Sequence, residues 1–290
     1  MSIKLIQERL NSYECKSELE EEHAIREITQ EVALAALGRT DFFKHCVFQG
    51  GTCLRIFYGL NRFSEDLDFI LNMPNLDFKL QPHLQSLSEE LRAYGYNVDI
   101  ADRSQTDIAV KKAFIKDDSI GKVLQVKHTG KKGPFRKIRI KLEIDTNPPS
   151  GGETEIKYLD FPFVSSVITQ NKPSLFAGKV HALLCREYIK GRDWYDFLWY
   201  TSQGIGINCK FLASALKQQG PWERQDIDVN LGWCMTELER AIKSVDWKTT
   251  AEDVRRFVRV AEQPSLNLWS RELFLARLEK YHNRIISEKH

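Results

Sequence analysis

From residue 138 to 145 the chain alternates without a break. Ile138, Ile140, Leu142 and Ile144 are apolar, and Lys137, Arg139, Lys141, Glu143 and Asp145 stand between and beside them. Successive strand side chains point to opposite faces, so this register fits only a sheet with one face on a core and the other polar. A strand cannot stand alone and needs neighbours. Runs at 46–48, 66–71, 96–100, 108–115 and 123–126 have strand character. Helical spacing appears at 17–37, 52–58 and 84–94. The first of these helices opens on Glu18 to Glu22, where the helix dipole favours negative charge, and Gly38 reads as its stop.

Beyond Pro148-Pro149-Ser150-Gly151-Gly152, and fully after about residue 170, the pattern becomes helical. Segments 175–189, 194–201, 211–216, 231–245, 251–261 and 266–285 read as helices. The chain is therefore expected to be α+β: a mixed-sheet domain at 1–168 with N-terminal helices, then a mostly helical domain at 169–290. With 290 residues, 42% of them hydrophobic and 28% charged, the chain can bury a core without staples. A formal net charge of +2 does not mark a nucleic-acid binder by itself. The six cysteines form no C-x-x-C pair, so reduced thiols in the cytoplasm are expected. No stretch approaches a membrane span, and no membrane partner is expected.

The chemistry concentrates between residues 50 and 68. Gly50-Gly51 follows a short strand and lets backbone approach a ligand closely, and a helix opening at Thr52 would turn free N–H groups toward a phosphate. Asp66 and Asp68 alternate on a strand, so both carboxylates point the same way. Paired carboxylates repel, and a divalent cation such as Mg²⁺, with Mn²⁺ as a substitute, relieves the repulsion while bridging to the phosphates of a nucleotide. Arg62 and Ser64 lie close in sequence as further phosphate contacts. For Arg55 a phosphate contact and a salt bridge are equally open.

This combination resembles the nucleotidyltransferase superfamily. The wording F-x-G-G-T-x-L-R-x-x-Y-G-L-x-R-F-S-E-D-L-D-F, from Phe48 to Phe69, resembles the AbiEii/AbiGii toxin family. The resemblance implies a nucleotidyltransferase-like sheet domain, with the helical domain completing the active site. It implies a third acid from a neighbouring strand. Lys141-Leu142-Glu143 matches the family's second motif, so Glu143 is favoured as metal ligand or base, with Asp145 as the alternative. The family's third region is matched by Lys179 and by Arg192-Asp193-Trp194-Tyr195-Asp196. Lys179 is implied to meet nucleotide phosphate, and either Asp193 or Asp196 to orient it or the substrate. Ser64 is implied to lie near the triphosphate.

The implied reaction transfers a nucleoside monophosphate from an NTP to the 3′ acceptor end of tRNA. The family implies a cognate AbiEi-like antitoxin, with no direct complex required. A basic stretch suits an RNA acceptor: Lys127, Lys131, Lys132, Arg136, Lys137 and Arg139, with a hairpin tip expected at 130–134. A solvated charged face is the plainer reading of the same residues. Trp194, Trp199 and Trp222 could stack bases, although core packing is the better expectation. Three other classes fit parts of the sequence: a nucleotidyltransferase acting on a small molecule or protein side chain, a non-catalytic nucleotide-binding module, and an RNA-binding interaction protein.

Overall fold

The computed structural model describes residues 2–104, 109–117, 119–120, 124–128 and 137–288. The chain divides into two compact units, Met1–Pro148 with Thr154–Thr169, and Pro149–Glu153 with Gln170–His290. The architecture is mixed α/β, with a seven-stranded mixed sheet followed by a helical C-terminal region.

The first unit opens with helices α1 (Ser2–Asn11), α2 (Glu18–Gly38) and the short α3 (Phe42–His45). Strand β1 (Cys46–Gln49) leads into helix α4 (Gly50–Tyr58), and β2 (Leu67–Leu71) follows. Helix α5 (Gln81–Ala93) precedes β3 (Val98–Asp102), β4 (Val110–Asp117), β5 (Ile138–Asp145), β6 (Thr154–Leu159) and β7 (Ser165–Gln170). The strand order is β3-β4-β5-β2-β1-β7-β6. Strand β2 runs antiparallel to β1 and parallel to β5. This places the three segments expected to carry the chemistry at the centre of one sheet.

Helix α2 forms because Ser17 accepts a hydrogen bond from the Glu20 N–H and because Glu18, Glu20 and Glu21 fill the first turn. It is buried nearly all round from Ala24 to Leu37, the mark of a central helix rather than a surface one. It lies over β5, whose Ile138, Ile140, Leu142 and Ile144 are all buried. Ala113 and Ile115 of β4 and Leu67 and Phe69 of β2 share that layer. Phe69 meets Phe42 edge-on at 4.9 Å and Phe48 at 5.2 Å.

Sequence periodicity missed α1, β6 and β7. Strand β6 sits at the sheet edge and exposes Ile156 and Tyr158, so it has no buried alternation to detect. The strand expected at 123–126 is not one. Residue 123 lies outside the described residues, and 124–126 are irregular. The polar groups of this segment are satisfied elsewhere: the Gln125 N–H donates to Gln7 Oε1 at 2.7 Å, and the Lys127 and His128 N–H groups donate to the Glu21 carboxylate at 2.6 and 2.8 Å.

The second unit is built of helices α6 (Lys172–Cys185), α7 (Gly191–Gln203), α8 (Cys209–Gln218), α9 (Leu231–Ser244), α10 (Trp247–Arg255) and α11 (Arg271–Ser287), with a 3₁₀ stretch at Val260–Leu268. Side chains of Asn171, Asn208, Asn230, Asp246 and Ser270 cap five of them. The helix expected at 175–189 stops at Cys185, and that at 251–261 stops at Arg255 and resumes as 3₁₀. The core is aromatic: Trp247 stacks on Phe274 at 3.8 Å, Trp194 meets Trp247 at 5.1 Å, and Phe176 stacks on Tyr200 at 4.4 Å. Trp194, 2% exposed, is a core residue, and Trp222 packs edge-on against Trp233. The six cysteines are free thiols. Among the described residues no helix is long and apolar enough to cross a membrane.

Candidate active site

The register of β1 with β2 does the first positioning. Gln49, the last residue of β1, lies opposite Asp68, so the chain turns into α4 directly beside the Asp68 side chain. Gly50 makes that turn at φ +79°, where L side chains are strained. A methyl group there would also stand 2.6 Å from Asp68 Oδ2. At Gly51 a methyl group would meet Arg62 Nη2 at 2.7 Å and Ser64 Oγ at 3.1 Å. The Thr52 hydroxyl, buried, donates to the Asp66 carbonyl. Three consecutive residues of α4 are thus set against Asp68, against Arg62 with Ser64, and against Asp66. No side chain from Gln49 caps the start of α4. Its positive dipole end faces this ring of polar groups.

The Thr52 side chain therefore braces Asp66. Arg55 is resolved too: its Nε donates to Glu27 Oε2 at 2.9 Å, the salt-bridge alternative. Arg62 is buried, with Nη1 donating to the Phe63 carbonyl at 2.9 Å.

Strand β5 supplies the third acid. Asp68 pairs in register with Glu143, and Glu143 with Lys112 of β4, so the three share one row across the sheet. Glu143 Oε1 lies 2.7 Å from Lys141 Nζ and 3.6 Å from Lys112 Nζ. Asp145 lies one step along the same face, opposite Ile70 of β2. Burial raises its carboxyl above the usual range, and the hydrogen bond from the Asn147 N–H, at 2.9 Å, pulls the other way. Asp66, Asp68 and Glu143 offer only oxygen donors, the kind a hard divalent cation takes. Among the described residues no three Asp, Glu, His or Cys side chains are gathered so that they could hold a metal ion. Glu143 is drawn instead onto its two lysines.

In the second unit Lys179 is held by both acids of its region. Its Nζ lies 2.7 Å from Asp193 Oδ1 and 2.8 Å from Asp196 Oδ2. Asp193 also receives Arg186, and Asp196 is fully buried. Asp193 and Asp196 each anchor the same ammonium. Arg186 brings a second cation to this cluster.

Of the basic stretch, Lys127, Lys137 and Arg139 are exposed. Lys131, Lys132 and Arg136, with the hairpin tip at 130–134, lie outside the described residues. Sequence reading missed Lys112, Phe114 and Lys116, which alternate on β4 toward the same face as Lys141 and Glu143. The Arg139 guanidinium lies over the Phe114 ring at 4.5 Å. Only cross-strand register brings these residues together, and no local pattern announces it.

Comparison with known proteins bears on the family and the fold. The sequence profile of the family described as nucleotidyl transferase AbiEii toxin, type IV toxin–antitoxin system, matches residues 32–277. The chain belongs to that family. Among solved structures, JHP933 from Helicobacter pylori superposes with a TM-score of 0.53 at 17% identity, covering 92% of this chain and 95% of that one. A Helicobacter pylori protein provisionally described as a nucleotidyltransferase superposes with a TM-score of 0.51 at 19% identity, covering 90% and 95%. At these identities the likeness is one of fold. No curated protein matches the chain.

Gly50 offers a local test against Gly59, which has φ +77° but open space where a methyl group would go. Alanine at either position is expected to cost about 1–2 kcal/mol of backbone strain. Only Gly50→Ala also displaces Asp68, so only it should lower nucleotide transfer beyond its effect on thermal unfolding. Equal losses of transfer in the two variants would separate Gly50 from the site.

Proposed function

We propose that this protein is a divalent-cation-dependent nucleotidyltransferase that moves a nucleoside monophosphate from an NTP to the 3′ end of tRNA, acting as the toxin of its pair. The observation that carries the proposal is the seating of Gly50, Gly51 and Thr52 against Asp68, Arg62 with Ser64, and Asp66. The backbone N–H groups opening α4, with Arg62 and Ser64, suit the triphosphate. Asp66 and Asp68 would hold Mg²⁺ or Mn²⁺, which neutralises phosphate charge when bound. The RNA 3′ hydroxyl attacks the α-phosphorus, the bond to the β-phosphate oxygen breaks, and pyrophosphate leaves. Glu143 or Asp145 takes the hydroxyl proton, the raised carboxyl of Asp145 favouring proton uptake. Lys179, anchored by Asp193 and Asp196, serves as a further cation for phosphate.

Lys112, Lys116, Arg139 and Lys141, with Phe114 beneath Arg139, line the sheet face beside Glu143, and the exposed Lys137 stands just before β5. Such a surface suits RNA backbone, with a ring for stacking. Family membership implies an antitoxin. We infer an AbiEi-like partner that need not bind the toxin.

The test incubates purified protein with Mg²⁺, each labelled NTP and total RNA. Label is expected in tRNA with at least one NTP and nowhere without the cation. The double charge reversal Lys137→Glu with Arg139→Glu should weaken RNA use about tenfold or more and flatten its salt dependence while leaving NTP affinity unchanged. Label confined to a small molecule or to protein would contradict the tRNA reading.

A further inference from the structure

The loop that carries Arg62 and Ser64 is held from behind. Arg55 of α4 donates from Nη1 to the Leu60 carbonyl at 2.9 Å and to the Asn61 carbonyl at 2.7 Å, while its Nε is fixed by Glu27 of α2 at 2.9 Å. Its guanidinium lies over the Phe63 ring at 4.7 Å. Glu27 is buried and is held from its other oxygen by the Tyr13 hydroxyl at 3.0 Å. One turn along α2, Gln30 Nε2 donates to the Ser64 carbonyl at 3.4 Å. On the far side of Glu27, Arg26 Nη1 lies 3.9 Å from Glu65 Oε1. Leu60, Asn61, Phe63, Ser64 and Glu65 are thus each contacted by Arg55 or by α2. Arg62 and Ser64 are in turn the two side chains against Gly51.

We propose that Glu27 and Arg55 are positioning residues: together they fix the loop whose Arg62 and Ser64 form one wall of the triphosphate site. This rests on the reading of Gly50–Asp68 as that site. A planar guanidinium is needed because one group must meet a carboxylate, two carbonyls and an aromatic face at once; an ammonium on a Lys stem has the charge but not the fork. Loss of the brace lets Arg62 and Ser64 drift relative to Gly51. A misplacement of about 1 Å in a site of this kind costs up to about a hundredfold. The effect should fall on the NTP and not on the RNA, because the braced residues face the glycine turn and not the β4–β5 surface.

The test compares Arg55→Lys, Arg55→Ala, Glu27→Gln and Asp66→Ala in the full chain. It measures thermal unfolding, affinity for non-hydrolysable NTP analogues, and KM for NTP and for RNA. Arg55→Lys is expected to unfold close to the wild-type temperature, yet to weaken NTP binding and raise its KM by about ten- to a hundredfold, with KM for RNA unchanged. Glu27→Gln, whose amide oxygen can still accept from Arg55 Nε, should keep most of the wild-type NTP affinity. Wild-type NTP affinity in Arg55→Lys overturns the proposal, as does a fall in NTP and RNA parameters in step with stability. Arg55→Ala, which risks misfolding, is used only if its unfolding transition stays cooperative. Asp66→Ala separates the two ideas: full transfer activity there refutes the site itself, whereas analogue binding tests the brace whether or not turnover is seen.

Discussion

Alanine at Asp66 or Asp68 is expected to abolish nucleotide transfer, by about a thousandfold or more, with little loss of folding stability. A cation in such a site contributes several kcal/mol to the reaction, and each 1.36 kcal/mol is about tenfold in rate. The fold should survive for reasons visible at each residue. The Thr52 hydroxyl is tied to the Asp66 carbonyl, which alanine keeps. Asp68 points away from the core layer formed by its neighbours Leu67 and Phe69, which are buried where it is not. Transfer assays beside circular-dichroism melts check both halves. A variant that keeps a tenth of wild-type turnover would mean that these acids are not where the chemistry occurs.

Lys179→Ala should do two things at once: remove transfer and lower stability by about 3–5 kcal/mol, because it takes a close cationic partner from the buried Asp193 and Asp196. Asp196 is fully buried, and Asp193 keeps Arg186. The two effects can be separated. In Lys179→Met with Asp196→Asn, both charges of the pair go, so urea unfolding should recover most of the lost stability. Transfer should stay absent if the ammonium itself serves the reaction. Recovery of transfer in the double variant would reduce Lys179 to a structural role.

Where a side chain's task was local, the sequence announced it. The Gly50-Gly51-Thr52 turn and the alternation of 138–145 could be read from spacing, because one turn or one strand fixes each, whereas the Lys179, Asp193 and Asp196 set, split between α6 and α7, was legible only from the family wording. What escaped depended on register between distant strands. Nothing in the segment 110–117 shows that Lys112 will lie beside Glu143, or that Phe114 will lie under Arg139; β4 and β5 must first pair. The same holds for α2: its acidic first turn was legible, but not that Glu27 would reach Arg55. Apolar content misled at 123–126, where the side chains suit a strand while Gln7 takes the Gln125 N–H and Glu21 takes those of Lys127 and His128 just beyond. The edge strand β6 carries its apolar residues outward and so gave no signal.

The most direct measurement is electron paramagnetic resonance of Mn²⁺ titrated into the protein with a non-hydrolysable NTP analogue. Tight Mn²⁺ binding should require the analogue, analogue affinity should require Mn²⁺, and both should vanish when Asp66 and Asp68 are replaced by alanine. An analogue that binds equally well without any divalent ion, or Mn²⁺ still held after both acids are gone, would contradict the account at its root.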